Sequence, residues 1–409
     1  MKIRLLFFVK LFFLLTLFYN GRPAPAEEFV FKHQKGDRYR IISTVDENVY
    51  IDRRLSHQAE ILNRIAVEVI SETDGKGYHR AVFQTSEMAT GTDQVYGTGG
   101  IFQWAREYES EFERNRMGEV SIDSKYFMPV VRNVPVFPGR NLQPGDTWSH
   151  EGHEVHDFRE NFGIRDPYYI PFTADYVYLG ERQWKDKTYT AFSVSYKITS
   201  NLPAVPGRIW PRRISSSSDQ IVYWDAALGQ PVAYTENFRY IFELSDGRTV
   251  EYRGKAEAEI VESARMDKEK IAEEIEEEIS RLEIADVTVR VVDEGITISM
   301  DDIQFQADTA IMLPGESEKL DKIVEILLHY QERDILVGGH TALAGTAAGR
   351  QRLSTERASV VADYIISHNA RSRDRVVVRG YGAERPLADN STEEGRLRNR
   401  RVEIILLEN

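Results

Sequence analysis

The 409-residue sequence contains no cysteine. No disulfide can staple any part of it, so every domain must rest on an apolar core. No cysteine follows the N-terminal apolar run either, which excludes acylation of a mature N-terminal thiol. Positive charge is in deficit: 52 Lys and Arg stand against 65 Asp and Glu, a formal net charge of -13. A chain of that sign offers no general cationic field to nucleic acid or to an anionic membrane. Beyond residue 26 there is no apolar run of the roughly 20 residues that a spanning helix needs. Gly-x-Ser-x-Gly, Walker and His-Glu-x-x-His motifs are all missing, so no hydrolase elbow, phosphate loop or zinc-protease helix is encoded. The expectation is a noncatalytic protein without a cofactor.

What is present points to an exported, folded chain. With 42% hydrophobic and 29% charged residues, the composition is that of a globular protein rather than a disordered one. Its length suggests two or three domains. Residues 1–26 read as a signal peptide. Lys2 and Arg4 precede an apolar run over 5–19 broken only by Lys10 and Thr16, and Ala24-Pro25-Ala26 forms a small-x-small cleavage site before Glu27. A periplasmic location follows from that reading.

Residues 27–262 read as mostly strand. Ile65, Val67 and Val69 alternate with their neighbours, as do residues 191–196. The clearest hairpin places Tyr234, Phe238, Tyr240, Phe242 and Leu244 on one face, turns at Asp246-Gly247, and returns over 249–260. Further turns are marked by Asp74-Gly75, Pro138-Gly139, Pro144-Gly145 and Pro206-Gly207. A mostly antiparallel sheet, curved or barrel-like, fits this pattern. Charged residues face away from the aromatic ones, as on a sheet with one wet face, which argues against a transmembrane barrel.

Residues 263–284 read as a linking helix. Ile271, Ile275, Ile279 and Leu282 recur at helical spacing, a stripe that would dock on one of the domains and is too short for a coiled coil. Residues 285–409 then alternate: strands over 287–292 and 295–300, a helix over 315–330, a strand at 335–337, a helix over 353–368, and strands over 375–379 and 402–407. This predicts a small α/β sandwich with helices on one side of the sheet, and an α+β class for the whole chain.

Several separated motifs of this last segment resemble the OmpA C-terminal family. They are Gly339-His340-Thr341, Leu353-Ser354, Arg357-Ala358 with Val361, Gly380-Tyr381-Gly382, Gly395-Arg396, and the run from Asn399 through Arg400, Arg401 and Val402 to Glu403. The resemblance implies a module that grips the stem peptide of peptidoglycan noncovalently. In the family an Asp after the His-Thr pair holds the amino group of the diamino acid, and the Arg of Leu-Ser-x-x-Arg-Ala holds a carboxylate. A guanidinium fork suits a carboxylate, and a helix N-terminus nearby favours an anion. Arg357 falls at the family's spacing, but Ala342 stands where the Asp would be, and Arg350 stands where an Asn is common. The resemblance thus implies a site around Arg357, His340, Thr341, Ala342, Arg350 and Arg401, with His340 and Thr341 positioning the loop. Glu356 and Glu384 are the acids that could replace the missing one.

Two other constellations carry less. His150, His153 and His156, interleaved with Glu151, Glu154 and Asp157, are metal-ligand types. Their spacing of three and Gly152 predict a solvated loop. The basic stretch 206–213 with Trp210 reads as an irregular loop whose indole folds onto the sheet. The function expected is a tether that holds peptidoglycan while the β-domain faces an outer-membrane or periplasmic protein. The alternative is a module that has lost wall binding and serves as a periplasmic protein-interaction scaffold.

Overall fold

A computed structural model of the protein describes residues 27–90, 100–262, 266–301, 305–306 and 309–408. The expected signal peptide lies outside them. Among the described residues no helix is long and apolar enough to cross a membrane.

The first part of the chain builds β1 (Arg38–Ile51), β2 (Arg54–Thr73), β3 (Lys76–Thr90), β4 (Phe102–Arg114), β5 (Val120–Ile122), β6 (Val131–Arg132) and β7 (Thr147–His156). The one-turn helix α1 (Arg159–Phe162) follows, then β8 (Tyr168–Trp184), β9 (Lys187–Asn201), β10 (Pro211–Asp225), β11 (Gln230–Leu244) and β12 (Thr249–Glu262). All pair antiparallel, in the order β5-β4-β3-β2-β1-β12-β11-β10-β9-β8-β7-β6. The sheet is curved and open: β5 and β6, at its two ends, form no ladder with each other among the described residues. Period-two alternation sets its inner face. In β8 the side chains of Ile170, Phe172, Ala174, Tyr176 and Tyr178 are buried while Tyr169, Pro171, Thr173 and Asp175 are exposed. The core within the curve is aromatic, with Phe137 5.3 Å from Phe29 and 4.9 Å from Trp224 between ring centroids.

The histidine cluster is strand, not loop. Residues 147–156 pair with β8 in unbroken register, and alternation turns His153 to the opposite face from His150 and His156. His156 and the buried Glu154 lie 2.8 Å apart, and Glu154 also accepts from the hydroxyls of Tyr196 (2.9 Å) and Tyr240 (2.6 Å). Trp210 is half-buried against the aromatic core, and its neighbour Arg208 donates to the Gly163 carbonyl at 2.9 Å.

The second part contains α2 (Lys268–Arg281), β13 (Val287–Val292), β14 (Gly295–Asp301), α3 (Glu316–Leu328), β15 (Ile335–Gly339), α4 (Ala347–Ser367), β16 (Val376–Gly380), α5 (Glu393–Asn399) and β17 (Arg401–Leu407). The strand order is β13-β14-β17-β15-β16, with only β15 and β16 parallel. Helices α2, α3 and α4 cover one face, where Ile275, Ile323, Val361, Val337, Val378 and Ile404 share one core. The Asp267 side chain caps α2 by accepting from the Lys270 amide. Helix α4 begins six residues before the 353 start read from its apolar stripe. Thr346 caps it by accepting from the Gly349 amide at 3.1 Å, and the first turn, Ala347-Ala348-Gly349-Arg350, has no large apolar side chain, so no stripe announces it.

The other face of this sheet is also covered. Leu336, Val377, Ile405 and Leu407 pack against Leu62, Met88 and Phe102 of the first sheet. Strand β16 adds to the edge of β4 in parallel, Val377 opposite Phe102 and Val378 opposite Gln103. The two sheets are thereby joined. At the joint Asp334, 2% exposed, receives Arg64 at 2.8 Å, Arg40 at 3.2 Å and Arg375 at 2.8 Å. Arg64 also donates to the Asp374 carbonyl at 2.7 Å. Burial alone would raise the Asp334 carboxyl, but Arg64 and Arg40 reverse this and hold it below its ordinary value.

Removing one partner of a buried charge cluster leaves the others uncompensated, so Asp334→Ala is expected to cost about 3–5 kcal/mol in urea unfolding. Because the folded-state value lies below the unfolded one, the contribution of Asp334 is complete above about pH 4 and disappears as pH falls through the folded value. Asp334→Asn should therefore flatten the acid limb of the stability curve between about pH 5 and pH 2 relative to wild type. An unchanged limb would show that the cluster is not the acid-sensitive element.

Candidate functional site

Two glycines bring α4 close to the sheet. A Cβ on Gly339 would collide with the Ser354 carbonyl, and one on Gly380 with the side chains of Thr355 and Ser354. Only glycine permits this approach. It leaves the loop at 340–346 draped over the head of the helix. The Thr341 amide donates to the Gly382 carbonyl (2.8 Å), the Gly382 amide to Ser354 Oγ (3.0 Å), and the Leu343 amide to Asn390 Oδ1 (2.9 Å). Asn399 Oδ1 in turn accepts from the amides of Leu387 (2.7 Å) and Ala388 (3.0 Å). The scattered motifs thus serve one purpose, which is to hold this loop against α4.

Between loop and helix lies a cleft of about 790 Å³. Thr341, Ala342, Arg350 and Arg357 all line it, together with Glu356 and Phe305. Three more arginines, Arg352, Arg396 and Arg400, line it too, the last two ion-paired with Glu393 at 2.6 and 3.3 Å. Arg357 is buried. Its Nε donates to the Thr309 carbonyl at 3.0 Å and its guanidinium lies 4.9 Å from the Phe305 ring centroid, so the segment before α3 orients it. Ala342 lines the cleft with its methyl group. Thr341 is 7% exposed, and its hydroxyl finds no hydrogen-bond partner among the described residues. Arg350 lies in the first turn of α4 rather than in a loop, and its Nη1 donates to the Gly345 carbonyl at 2.7 Å. Among the described residues Glu356 is the one carboxylate on the wall, 3.7 Å from Arg352.

His340 and Arg401 are placed elsewhere. Along β17, Val402, Ile404 and Leu406 point to the helices, so Arg401 and Glu403 point the other way. There Arg401 Nε binds Glu403 at 2.8 Å, His340 Nε2 lies 3.1 Å from the same carboxylate, and Arg290 reaches it at 2.6 Å. His340 stacks on Tyr381 with ring centroids 4.8 Å apart. Burial would raise the Glu403 carboxyl, but the His340 hydrogen bond and the Arg401 guanidinium pull it down to about 2. Burial also holds the His340 imidazole below its ordinary value. This network braces the root of the loop from behind. Glu384 lies on that side too, with Trp104 and Arg379. The bracing of Arg357 by Phe305 and Thr309 carries no motif that the sequence could have revealed.

The module is a sheet with helices on one face and an arginine-lined cleft at the head of α4. Residues 304–400 match the OmpA family, and this C-terminal part of the chain is an OmpA-family domain. The peptidoglycan-binding protein ArfA of Mycobacterium tuberculosis is 34% identical over 104 residues, 25% of this chain and 32% of the relative. Outer membrane porin F of Pseudomonas aeruginosa is 36% identical over 102 residues, 25% of this chain and 29% of the relative. Among solved structures, the cell wall anchor of the T6SS from Pseudomonas aeruginosa aligns at 25% identity with a TM-score of 0.30, covering 35% of this chain and 100% of that one. The chain spans about a third of the length of these first curated relatives.

If the glycines set the approach of α4, Gly339→Ala must push the helix off the strand. The expected cost is about 1–3 kcal/mol in urea unfolding, typical of overpacking. A variant as stable as wild type would show that the loop and helix are not held by this contact.

Proposed function

We propose that this is a noncatalytic, periplasmic envelope protein that holds peptidoglycan in the cleft at the head of α4. The observation that supports the reading is that Thr341, Ala342 and Arg357, contributed by two separate motifs, line the same cleft. The name of the mycobacterial relative, a peptidoglycan-binding protein, points the same way. Arg357 takes a stem-peptide carboxylate in its fork, the amides at the head of α4 add to the attraction for an anion, and the unpartnered Thr341 hydroxyl is available to a ligand oxygen or amide. Ala342 supplies no charge to the ammonium of the diamino acid. Glu356 is the carboxylate on the wall that can take that part. A charge-assisted hydrogen bond contributes about 1.5–3 kcal/mol, so the missing acid weakens binding about tenfold to a hundredfold. The β-domain, carried on the same body, faces a second envelope component.

The test is sedimentation of the full chain, residues 27–409, with purified sacculi. Wild type should pellet, Arg357→Ala should stay in the supernatant, and Ala342→Asp should pellet at a concentration about tenfold or more lower. If wild type stays in solution and only Ala342→Asp pellets, the fold has been kept without wall binding. The protein-interaction scaffold then becomes the correct reading.

A further inference from the structure

The β-domain encloses a cavity of its own, of about 280 Å³, remote from the cleft. It lies in the curve of the first sheet, between the inner faces of β1–β4 and β10–β12, with residues 129–135 on one side and the N-terminal strap 31–37 on another. The strap is tied across the curve. The Phe31 amide donates to the Arg116 carbonyl (2.8 Å), the Lys32 amide to the Gly229 carbonyl (3.1 Å), and the Gly36 amide to the Val69 carbonyl (2.8 Å). Lys32 and Asp37 are the exposed lining residues, so the opening lies at the strap.

Most of the wall is aliphatic or aromatic, Ile41, Ile65, Val67, Phe83 and Val222 among it. At the strap end the character changes. His79 is 1% exposed, stacked on Phe112 at 5.0 Å, and its Nδ1 has no hydrogen-bond partner. His33 meets it edge-on at 5.0 Å, and His33 Nε2 is likewise unpartnered. Arg114 lies 4.9 Å from the Phe31 ring centroid and 5.5 Å from that of Phe112, and among the described residues no carboxylate forms an ion pair with it. A cavity that is apolar over most of its wall and has a few convergent polar groups at one end is the usual form of a small-molecule site. Unsatisfied buried polar atoms in such a place call for an explanation, and a bound ligand supplies one.

We infer that this cavity binds a small amphiphile with one apolar chain and one anionic head, the chain lying among Ile41, Ile65, Val67 and Phe83 and the head at Arg114, His79 and His33. Burial, with Arg114 beside it, lowers His79 to about 3, so the ring is neutral and offers a hydrogen bond without charge. The preference for an anion therefore rests on Arg114. The carboxyl of Glu236, on the far wall, accepts from Ser218 Oγ at 2.5 Å and is pushed up by burial, which leaves it unsuited to attract a cation.

Isothermal titration of the full chain with decanoate, decyl phosphate, decanol and decylammonium tests this. One or both anions should bind at one site per chain, at least tenfold tighter than decanol. Arg114→Gln should remove that advantage and leave decanol binding unchanged. Ala81→Phe, which fills the cavity, should abolish both; if that variant fails to fold by circular dichroism, the Arg114→Gln comparison decides alone. Equal affinity for decanol, tighter binding of decylammonium, binding that survives in a folded Ala81→Phe, or no binding at all would each overturn the inference.

Discussion

Two guanidinium groups from the first sheet and one from the turn before β16 converge on the carboxylate of Asp334, and the fixed relation between the parts of this molecule depends on that meeting. Arg40 and Arg64 belong to the β-domain, Arg375 and Asp334 to the OmpA-family module. Alone, each charge would be costly to bury. At the joint Arg64 and Arg375 divide their donors between Asp334 and backbone carbonyls, and Arg40 reaches the same carboxylate. Leu336, Val377, Ile405 and Leu407 on one side pack against Leu62, Met88 and Phe102 on the other, and each such side chain contributes about 1.5–3 kcal/mol when fully buried. The β4–β16 ladder fixes the register of the joint as well as its contact.

The arrangement separates the tasks of the module by face. Its sheet gives one face to the helices and the other to the β-domain. The cleft opens on the helix side at the head of α4, while the Glu403 network braces the same loop from the joint side. The cleft and the β-domain contact therefore occupy different surfaces of the module. In a chain of net charge -13 the clustering of five arginines on one cleft wall is a local inversion of sign, the feature a carboxylate-bearing ligand would meet first.

Much of this was legible in the sequence where the physics is local. Alternation identified the β11–β12 hairpin, and the glycine at its turn marked the reversal. The apolar stripes of α2, α3 and α4 placed those helices. The start of α4 was missed because the cap at Thr346 leads into a turn of small residues, Ala347-Ala348-Gly349, that carries no stripe. The parity of β17 could have moved Arg401 off the site, since Val402, Ile404 and Leu406 are core and Arg401 must oppose them. The covered second face was also readable: residues 335–337, 376–378 and 404–407 are unbroken apolar runs, the mark of strands buried on both sides. The Asp334 cluster and the β-domain cavity were not, because they join residues far apart in the chain, up to the 294 positions from Arg40 to Asp334 in the cluster, and no local pattern signals a partner at that distance.

Amide hydrogen exchange of the full chain, with and without a soluble peptidoglycan stem peptide, tests the account most directly. The account predicts that the amides of β15 and β16 at the joint exchange as slowly as the deepest core in either state, and that added peptide slows exchange in the 340–350 segment at the head of α4. Rapid exchange at the joint would contradict the single-body arrangement. Protection confined to the β-domain, or no protection anywhere, would contradict the cleft as the seat of the ligand.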